Sequence, residues 1–337
     1  MEPLRIAMVG CGLICEAHVR AYSKFGDRAR ITVFCDIDRE KAQHQADLVP
    51  GSVVVTDYRD VLSRADVDAV EVCTPHHLHA DIVVAAARAG KHILCQKPLA
   101  KTLDECDAMI AAAREAGVVL YYGETNRTMH NVLKARDAIA AGRIGKVIGI
   151  QSTSAYWQGG EYLNTAWRYD PNVSGGGQLL DGGIHAVDVL INLCGPVHSV
   201  SCMTTRFREE LGGEDTAVIN LRFASGALGT LFSSQACGNH AYGGAAVVFG
   251  TEGVLSLGGP HGALTLYKQA LPDGREVLSK SWGHSFAAMI GCYLDTVRDG
   301  APNPSPGESG LENLRVVLAA YESAAQGREI VLDEWRK

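Results

Sequence analysis

The sequence predicts an α/β protein of two domains, because its periodicity alternates in the first third and changes near residue 123. Short apolar runs such as "RIAMVGCG" and "ITVFCDID" alternate with segments of helical spacing such as "DREKAQHQADL". Strands that alternate with helices form a parallel sheet with helices on both faces. With 337 residues, 47% of them hydrophobic, the chain can build two cores of ordinary size.

The second domain is predicted to hold a largely antiparallel sheet. Strand-like segments such as "KVIGIQSTSAYW", "DTAVINLRF" and "ALGTLFSSQ" are mostly linked by turns that contain Gly or Asp. A Pro-rich connection then precedes "ESGLENLRVVLAAYESAAQG", a helix closed by glycine. We therefore predict a first domain over residues 1–123 and a second over residues 124–337.

Composition favours a small-molecule partner. The net charge of −7 comes without a basic block, so no nucleic-acid partner is expected. No apolar run is long enough to span a membrane, and the start leaves no room for a signal peptide, so we expect a cytoplasmic protein without a membrane partner. The ten cysteines are scattered and lack paired C-x-x-C spacing, which predicts reduced thiols.

The first strand leads into a glycine turn typical of dinucleotide binding. Gly10 permits the tight bend, and Gly12 lets backbone N–H groups approach a pyrophosphate. Leu13 and Ile14 follow in the same predicted cofactor-binding turn. Cys15 occupies the third position, where a small residue is needed for helix packing. Such a G-x-G is also found in ordinary turns, so the residue that ends the next strand matters.

Asp36 is that residue, and it predicts NAD as the cofactor. It lies 24 residues after Gly12, where a carboxylate can accept hydrogen bonds from both ribose hydroxyls. The same charge repels a 2′-phosphate, which makes NADP the less favoured cofactor, although Arg39 lies nearby. The alternative is that Asp36 is an ordinary turn residue.

The stretch "CTPHHLHAD" ends another predicted strand. Thr74 and Pro75 are expected to cap the following helix beside the cofactor cleft, with His79 as a packed helix residue at the same cofactor-binding position. His76 and His79 have a spacing that a metal could use. No further carboxylate or cysteine completes a zinc pattern, so no metal site is predicted.

Lys97 and a second cluster supply candidate chemistry. Gln96 and Lys97 follow one another at the end of a strand, at the side of the sheet where the nucleotide is expected, so both are cofactor-binding candidates, although a surface lysine would also fit. After the run Gly175–Gly177, Asp181 and His185 stand four residues apart, on one face if the segment is helical. Asp188 falls near the same face. Lysine, aspartate and histidine are what alcohol oxidation requires, although a helix cap and a core histidine remain the alternative.

These stretches resemble the Gfo/Idh/MocA oxidoreductases. The similarity is carried by "AMVGCGLICEAH", by "DVDAVEVCTPHHLHADIVVAAARAGKHILCQKPLA" and by "WRYDPNVSGGGQLLDGGIHAVDVL". The resemblance implies a Rossmann domain, an open-faced α/β domain, a nicotinamide cofactor, a sugar or cyclitol substrate and face-to-face oligomers. It also implies that Lys97 lies beside the reacting carbon, that Asp181 is a partner of a substrate hydroxyl or of the lysine, that His185 is the acid/base, and that Trp167 and Arg168 lie near substrate and nicotinamide.

Two departures from the family pattern stand out. The family usually has E-K-P, whereas this chain has Gln96-Lys97-Pro98, and a neutral amide lacks the charge that would stabilise the ammonium form. The expected "NRRF-x-P" region reads "NRTMHN", which alters the region that contributes Arg127 as a substrate-binding candidate.

The sequence thus predicts an NAD-dependent dehydrogenase that oxidises a secondary hydroxyl of a sugar, glycoside or cyclitol. Aromatic faces from Tyr156, Trp157 and Trp167 could stack on a pyranose, although sheet packing would also explain at least one of them. Two alternatives remain: a glycosidase that uses NAD for transient oxidation and elimination, and a non-catalytic NAD-binding regulatory protein. A homodimer or homotetramer is expected through the open sheet face.

Overall fold

The computed structural model divides the chain into two compact units. Unit 1 comprises Met1–Thr125 and Ser285–Leu311, and unit 2 comprises Asn126–His284 and Glu312–Lys337. The structure describes residues 2–159, 165–238, 245–258, 262–280 and 286–335. Within these ranges, none of the helices combines the length and the apolar character that a membrane crossing requires.

Unit 1 is built on a six-stranded, wholly parallel sheet, as the sequence predicts. Its strands are β1 (Leu4–Val9), β2 (Ala29–Cys35), β3 (Val53–Val55), β4 (Ala69–Val72), β5 (His92–Gln96) and β6 (Leu120–Gly123). The intervening helices are α1 (Leu13–Tyr22), α2 (Arg39–Asp47), α3 (Tyr58–Leu62), α4 (His79–Arg88) and α5 (Leu103–Ala116). The order β3-β2-β1-β4-β5-β6 reverses direction between β1 and β4, and ligands bind outside the strands' carboxyl ends at such a point.

Unit 2 contains a nine-stranded sheet that is antiparallel except where β7 pairs with β10. Its strands are β7 (Val147–Ala155), β8 (Val197–Thr205), β9 (Thr216–Phe223), β10 (Leu228–Ser234), β11 (Ala245–Gly250), β12 (Val254–Leu257), β13 (Leu264–Tyr267), β14 (Arg275–Ser279) and β15 (Ile330–Val331). Its first three helices are α6 (His130–Ala140), α7 (Pro171–Ser174) and α8 (Ile184–Cys194). The predicted, largely antiparallel sheet is therefore confirmed.

One face of this sheet exposes large apolar side chains. Met203 on β8 pairs with Val218, which in turn pairs with Phe232 on β10, and paired residues share a face. Leu228 lies on that face of β10 and, through Gly149, aligns with Phe249 on β11. The exposed fractions are 68% for Met203, 55% for Leu228, 41% for Phe232 and 37% for Phe249. We call this surface, defined by these four apolar residues, the open face.

The last part of the chain departs from the predicted domain boundaries. Helix α9 (Phe286–Asp299) inserts Met289, Ile290, Tyr293 and Leu294 into the core of unit 1. The predicted second domain, residues 124–337, differs from these compact units at residues 285–311, because this apolar helix face completes a core whose strands lie far earlier in the chain. The division between units falls within α10 (Gly307–Gln326), the predicted helix that glycine closes.

Single turns complete the secondary structure. The 3₁₀ turns are Ser23–Phe25, His76–Leu78, Thr125–Thr128, Ala166–Tyr169 and Leu332–Glu334. A π-helical turn, Leu179–Gly183, runs directly into α8.

Candidate active site

The glycine turn after β1 is shaped for a phosphate group. Gly10 has φ +95°, and a Cβ there would lie 2.6 Å from the backbone carbonyl of Cys73, so only glycine fits. Gly12 caps α1, and a Cβ on it would meet nothing within 4 Å. Because glycine offers no capping side chain, the first N–H groups of α1 are left for an anion. Leu13 is 55% exposed, as a residue at a ligand surface would be, while Cys15 is fully buried.

Asp36 is fixed beside this turn by two backbone groups. The Cys11 N–H donates to Oδ2 at 2.7 Å, and the Asp38 N–H donates to Oδ1 at 2.9 Å. A carboxylate oxygen can accept more than one hydrogen bond, so the carboxylate can still receive ribose hydroxyls. Its position after β2, next to β1, is the one predicted for the ribose-binding acid.

The segment after β4 differs from the prediction. Pro75 precedes a 3₁₀ turn, and neither it nor Leu78, which precedes α4, makes a side-chain cap. The Thr74 hydroxyl, Oγ1, is buried without a hydrogen-bond partner among the described residues. The predicted capping role of Thr74 and Pro75 was therefore wrong, because the 3₁₀ turn shifts the start of α4 by several residues. A buried hydroxyl that lacks a protein hydrogen-bond partner at this edge is suited to bind a ligand.

His79 lies under the same edge as a positioning residue. Its Nδ1 is 2.9 Å from the Pro98 carbonyl oxygen, and its Nε2 is 2.9 Å from the Thr74 carbonyl oxygen. The ring is fully buried, and burial lowers its pKa. Since both nitrogens contact backbone oxygens, His79 ties the loop after β4 to the loop after β5, and we expect it to support the cofactor site without touching the cofactor.

Gln96 and Lys97 end β5. Gln96 is buried, with its amide nitrogen 2.8 Å from His18 Nε2, whereas Lys97 is half-buried. The Lys97–Pro98 peptide is cis. Because β2, β1, β4 and β5 are adjacent parallel strands, Asp36, Gly10, Thr74 and Lys97 follow the carboxyl ends of four neighbours. The structure thus gathers the cofactor candidates at one edge of the sheet in unit 1.

In unit 2, the Asp181 carboxylate forms an ion pair with a neighbouring arginine. Arg168 donates from Nε to Asp181 Oδ2 at 3.0 Å and from Nη1 to Thr165 Oγ1 at 2.7 Å. The Arg168 guanidinium also lies 4.1 Å from the centre of the Trp167 ring. This arrangement orients Asp181 and keeps a cation beside it, which favours the ionised carboxylate.

Asp181 and His185 share a helical segment, but its geometry is mixed. Asp181 lies in the π-helical turn and His185 in the first turn of α8. A spacing of four residues is close to one turn in either geometry, and π turns are frequent at functional sites. The Asn126 amide donates to the His185 carbonyl oxygen at 3.3 Å, and the His185 side chain is half-buried.

Arg127 has a structural partner within unit 2. Its Nε donates to Oδ1 of Asp188 at 2.7 Å, and Asn313 donates to the same oxygen at 2.7 Å. Asp188 is fully buried, so this ion pair compensates a charge that would otherwise be costly to bury. This contact joins the turn at residues 126–128 to α8, which is a structural role for Arg127. A role of Arg127 in substrate binding stays a prediction.

The aromatic candidates occupy different environments. Gln178 donates from Nε2 to the Tyr156 hydroxyl at 3.1 Å, and burial raises the pKa of that phenol. Trp157 is 41% exposed, but the Arg208 guanidinium lies 4.1 Å from its ring centre. Tyr156 is therefore a half-buried, hydrogen-bonded side chain, and Trp157 keeps at most one ring face for stacking.

The sequence analysis did not predict two residues that support the candidate site, Glu214 and Tyr321. Glu214 accepts hydrogen bonds from the Leu179 N–H at 2.8 Å and from the Tyr321 hydroxyl at 2.9 Å, and its other oxygen accepts from the Gly177 N–H at 3.0 Å. Burial raises the pKa of both Glu214 and Tyr321. Together they hold the glycine run in place. In the sequence Glu214 follows "LGG" and reads as a surface turn residue, so no signal marks it.

The glycine run allows the close approach that the sequence predicts. A Cβ on Gly177 would lie 2.1 Å from the Glu214 carbonyl oxygen. The run and Asp181 border one small pocket within unit 2. Its lining residues are Arg168, Ser174, Gly176, Gly177, Asp181, Leu211, Gly213, Glu214 and Gln235.

The geometry of unit 1 fits a dinucleotide. Gly12 leaves open space before α1, Asp36 is fixed beside it, and Thr74 offers an unpaired hydroxyl. Residues 4–124 match the model of the "oxidoreductase family, NAD-binding Rossmann fold", and residues 132–256 match the "GFO/IDH/MocA C-terminal domain".

Individual relatives agree with these matches. A 1,5-anhydro-D-fructose reductase of Ensifer adhaerens is 33% identical over 81% of this chain and 82% of its own length. A myo-inositol 2-dehydrogenase of Thermotoga maritima is 28% identical over 98% of this chain and 99% of its own length. The WlbA dehydrogenase of Bordetella pertussis, solved with NADH and UDP-GlcNAcA, superposes with a TM-score of 0.91 at 27% identity, over 98% of each chain.

The fold, the glycine turn with Asp36 and these similarities lead to one assignment. The chain belongs to the Gfo/Idh/MocA family of oxidoreductases and carries its NAD-binding Rossmann domain.

Proposed function

We propose that the protein is an NAD-dependent dehydrogenase that oxidises a secondary hydroxyl of a sugar, glycoside or cyclitol. The observation that carries the proposal is the joint position of Asp36, the glycine turn and Lys97 at one edge of the parallel sheet. The substrate class is supported by relatives whose names specify an anhydro sugar and an inositol.

The proposed mechanism gives each candidate residue one task. Gly10, Gly12 and Asp36 would hold NAD, whose nicotinamide ring would supply the acceptor for the hydride that leaves the substrate carbon. His185 takes the hydroxyl proton on a ring nitrogen, and the Lys97 ammonium hydrogen-bonds the same oxygen as negative charge develops there. Asp181, oriented by Arg168, accepts a hydrogen bond from a substrate hydroxyl and fixes the sugar's orientation. Trp157 and Trp167 remain candidates for contact with a sugar ring.

A substrate panel tests the activity. Purified protein would be incubated with NAD and with sugars, inositols and glycosides, while NADH absorbance and product mass are followed. We expect NADH to form with at least one polyol substrate and a product two mass units lighter than the substrate. Glycoside cleavage without net NADH would favour the NAD-dependent glycosidase instead. NAD binding without any turnover would favour a regulatory protein.

A histidine variant tests the proposed base. His185→Asn should lower kcat by about 10²–10⁴-fold, the usual contribution of general acid–base catalysis, with little change in NAD affinity. His198→Asn is the matched control, because His198 is an exposed histidine on β8 of the same unit. Equal activity of both variants would remove His185 from the mechanism.

We also propose that the protein forms a homodimer or homotetramer through the open face. Soluble monomers rarely expose large contiguous apolar patches, and Met203, Leu228, Phe232 and Phe249 lie exposed on one face of β8, β10 and β11.

A further inference from the structure

Unit 1 buries a polar chain inside its core. His18 on α1, Glu71 on β4 and Gln96 on β5 are 0%, 1% and 7% exposed. His18 Nδ1 contacts Glu71 Oε1, and His18 Nε2 lies 2.8 Å from the Gln96 amide nitrogen. Glu71 pairs with Leu94 across the strands, so it shares a sheet face with Gln96 two residues further on. The proposed mechanism assigns no catalytic task to any of these contacts.

The chemistry of the three groups determines which atom donates and which accepts each hydrogen bond. Burial lowers the pKa of His18 to about 3, so the ring is neutral and carries one N–H. Nε2 faces an amide nitrogen, which can only donate, so the single ring hydrogen lies on Nδ1 and faces a carboxylate oxygen of Glu71 that accepts it. Nε2 is then an acceptor, and its neighbour at 2.8 Å must donate. An amide can donate there, whereas an ionised glutamate cannot.

We propose that Glu71 and His18 make residue 96 an obligatory hydrogen-bond donor, so that the carboxylate of this region lies at Glu71 and a neutral amide lies beside Lys97. Gln96 is then a positioning residue. Its departure from the E-K-P pattern is explained by Glu71, a strand residue whose position in the sequence gives no hint of a polar contact. The link to Lys97 rests on the proposed function, while the hydrogen-bond chain itself does not.

A metal ion is the competing explanation for the same cluster. Among the described residues, His18, Glu71 and Cys73 form a group whose possible ligand atoms lie within 4.8 Å of one another. His18 directs Nε2 to Gln96 and Nδ1 to Glu71, so both ring nitrogens already have protein neighbours, and burial raises the pKa of the Cys73 thiol, which disfavours the thiolate that a metal would bind. The hydrogen-bond chain therefore accounts for the geometry better.

Exchanging the carboxylate and the amide tests the proposal. In Gln96→Glu, His18 stands between two carboxylates and must take up a proton, which raises its folded-state pKa above the unfolded value of about 6.5. The resulting stability is present below that pH and is lost as pH rises through the folded pKa. We expect the unfolding midpoint of Gln96→Glu to fall about 5 °C below that of wild type near pH 8.5, with a smaller difference near pH 6.

The double variant Glu71→Gln/Gln96→Glu should recover stability at high pH. His18 can then donate from Nε2 to Glu at 96 and accept at Nδ1 from Gln at 71, which is the same chain reversed. Glu71→Gln alone should stay close to wild type, because an amide oxygen also accepts from Nδ1. Gln45→Glu is the control, since Gln45 is another buried glutamine of unit 1, and Glu71→Gln should not rescue it.

Other titratable groups in this core do not interfere with the readout. Cys73 lies beside His18, and Tyr22 and Tyr293 belong to the same apolar cluster, which also includes Cys15 one turn earlier on α1. Burial raises the pKa of Cys73, Tyr22 and Tyr293, and a hydrogen bond with Cys11 together with burial raises that of Cys15. These groups stay neutral between pH 6 and about 8.5. Phe286, which packs 4.9 Å from the His18 ring centre, carries no charge.

A direct measurement of the tautomer completes the test. In protein labelled with ¹⁵N-histidine, and with His18 assigned through His18→Gln, the nitrogen shifts should report Nδ1–H in wild type and Nε2–H in the double variant. An Nε2–H tautomer in wild type, parallel pH curves for wild type and Gln96→Glu, or failure of the double variant to recover would each overturn the proposal. So would stoichiometric zinc in purified wild type that Cys73→Ser releases.

Activity separates this inference from the proposed function. In both Gln96→Glu and the double variant, a carboxylate stands beside Lys97 and should stabilise its ammonium form, so the pH profile of turnover should move to higher pH in both, although only the double variant recovers stability. Unshifted profiles would sever the link to Lys97. Absence of turnover with every polyol would refute the proposed function, and the stability and tautomer results would still decide the inference.

Discussion

Lys97 is the residue on which the proposed chemistry most depends, and its replacement gives a sharp prediction. Lys97→Ala should lower kcat by about 10²–10⁴-fold, because assistance to proton transfer is lost. NAD affinity should change far less, since Gly10, Gly12 and Asp36 serve the adenosine and phosphate end of the dinucleotide. Steady-state kinetics and fluorescence titration with NAD would measure the two effects. Lys101→Ala is the matched control, and near-normal kcat in Lys97→Ala would contradict the proposed mechanism.

A second prediction about a single residue concerns the preference for NAD over NADP that Asp36 should confer. Its carboxylate, held by the Cys11 and Asp38 N–H groups, should accept ribose hydroxyls and repel a 2′-phosphate. NAD should therefore bind at least about tenfold more tightly than NADP, or about 1.4 kcal/mol, and Asp36→Asn should narrow the difference. Titration calorimetry with both cofactors measures it, with Asp47→Asn as a control on an exposed aspartate of α2. Equal affinities in wild type would overturn the prediction.

At the scale of elements, the glycine run before the π-helical turn predicts a loss of stability on substitution. A methyl group on Gly177 would meet the Glu214 backbone, which cannot move away as a flexible side chain could. Gly177→Ala should lower the free energy of unfolding by about 1–3 kcal/mol, measured by denaturant titration. Turnover should fall with it, because Asp181 follows directly, whereas NAD affinity should persist. Gly26→Ala is the control, since a Cβ there meets nothing within 4 Å; equal stability of both variants would disprove the packing argument.

At the scale of the whole molecule, the open face predicts self-association. Light scattering at micromolar concentration should give two or four times the 35.9 kDa of the chain. Phe232→Lys should shift the mass toward the monomer, because a charged group would be buried without a partner at the centre of the face. Leu48→Lys, on an exposed residue that follows α2, should not. A wild-type mass of 35.9 kDa would count against the proposed assembly.

Local patterns were sufficient for much of this protein. Alternating apolar runs and helical segments predicted the parallel sheet of unit 1, and Gly10, Gly12 and Asp36 predicted its cofactor edge, because each depends on residues close in sequence to a strand end. The turn-linked strands likewise predicted the antiparallel sheet. Residue chemistry and spacing then singled out Lys97, Asp181 and His185, and resemblance to a family implied their individual roles, which periodicity alone could not assign.

Tertiary structure decided the contacts that join distant parts of the chain. Helix α9 completes the core of unit 1 from far beyond the predicted boundary, and Glu214 and Tyr321 hold a glycine run that lies 35 or more residues away from either in sequence. Gln96 is bound by His18 across 78 positions. A sequence shows which side chains are polar, but their burial and their hydrogen-bond partners are determined only when strands and helices pack together. These partners decide whether a buried amide, hydroxyl or carboxylate stabilises the fold or is available to bind a ligand.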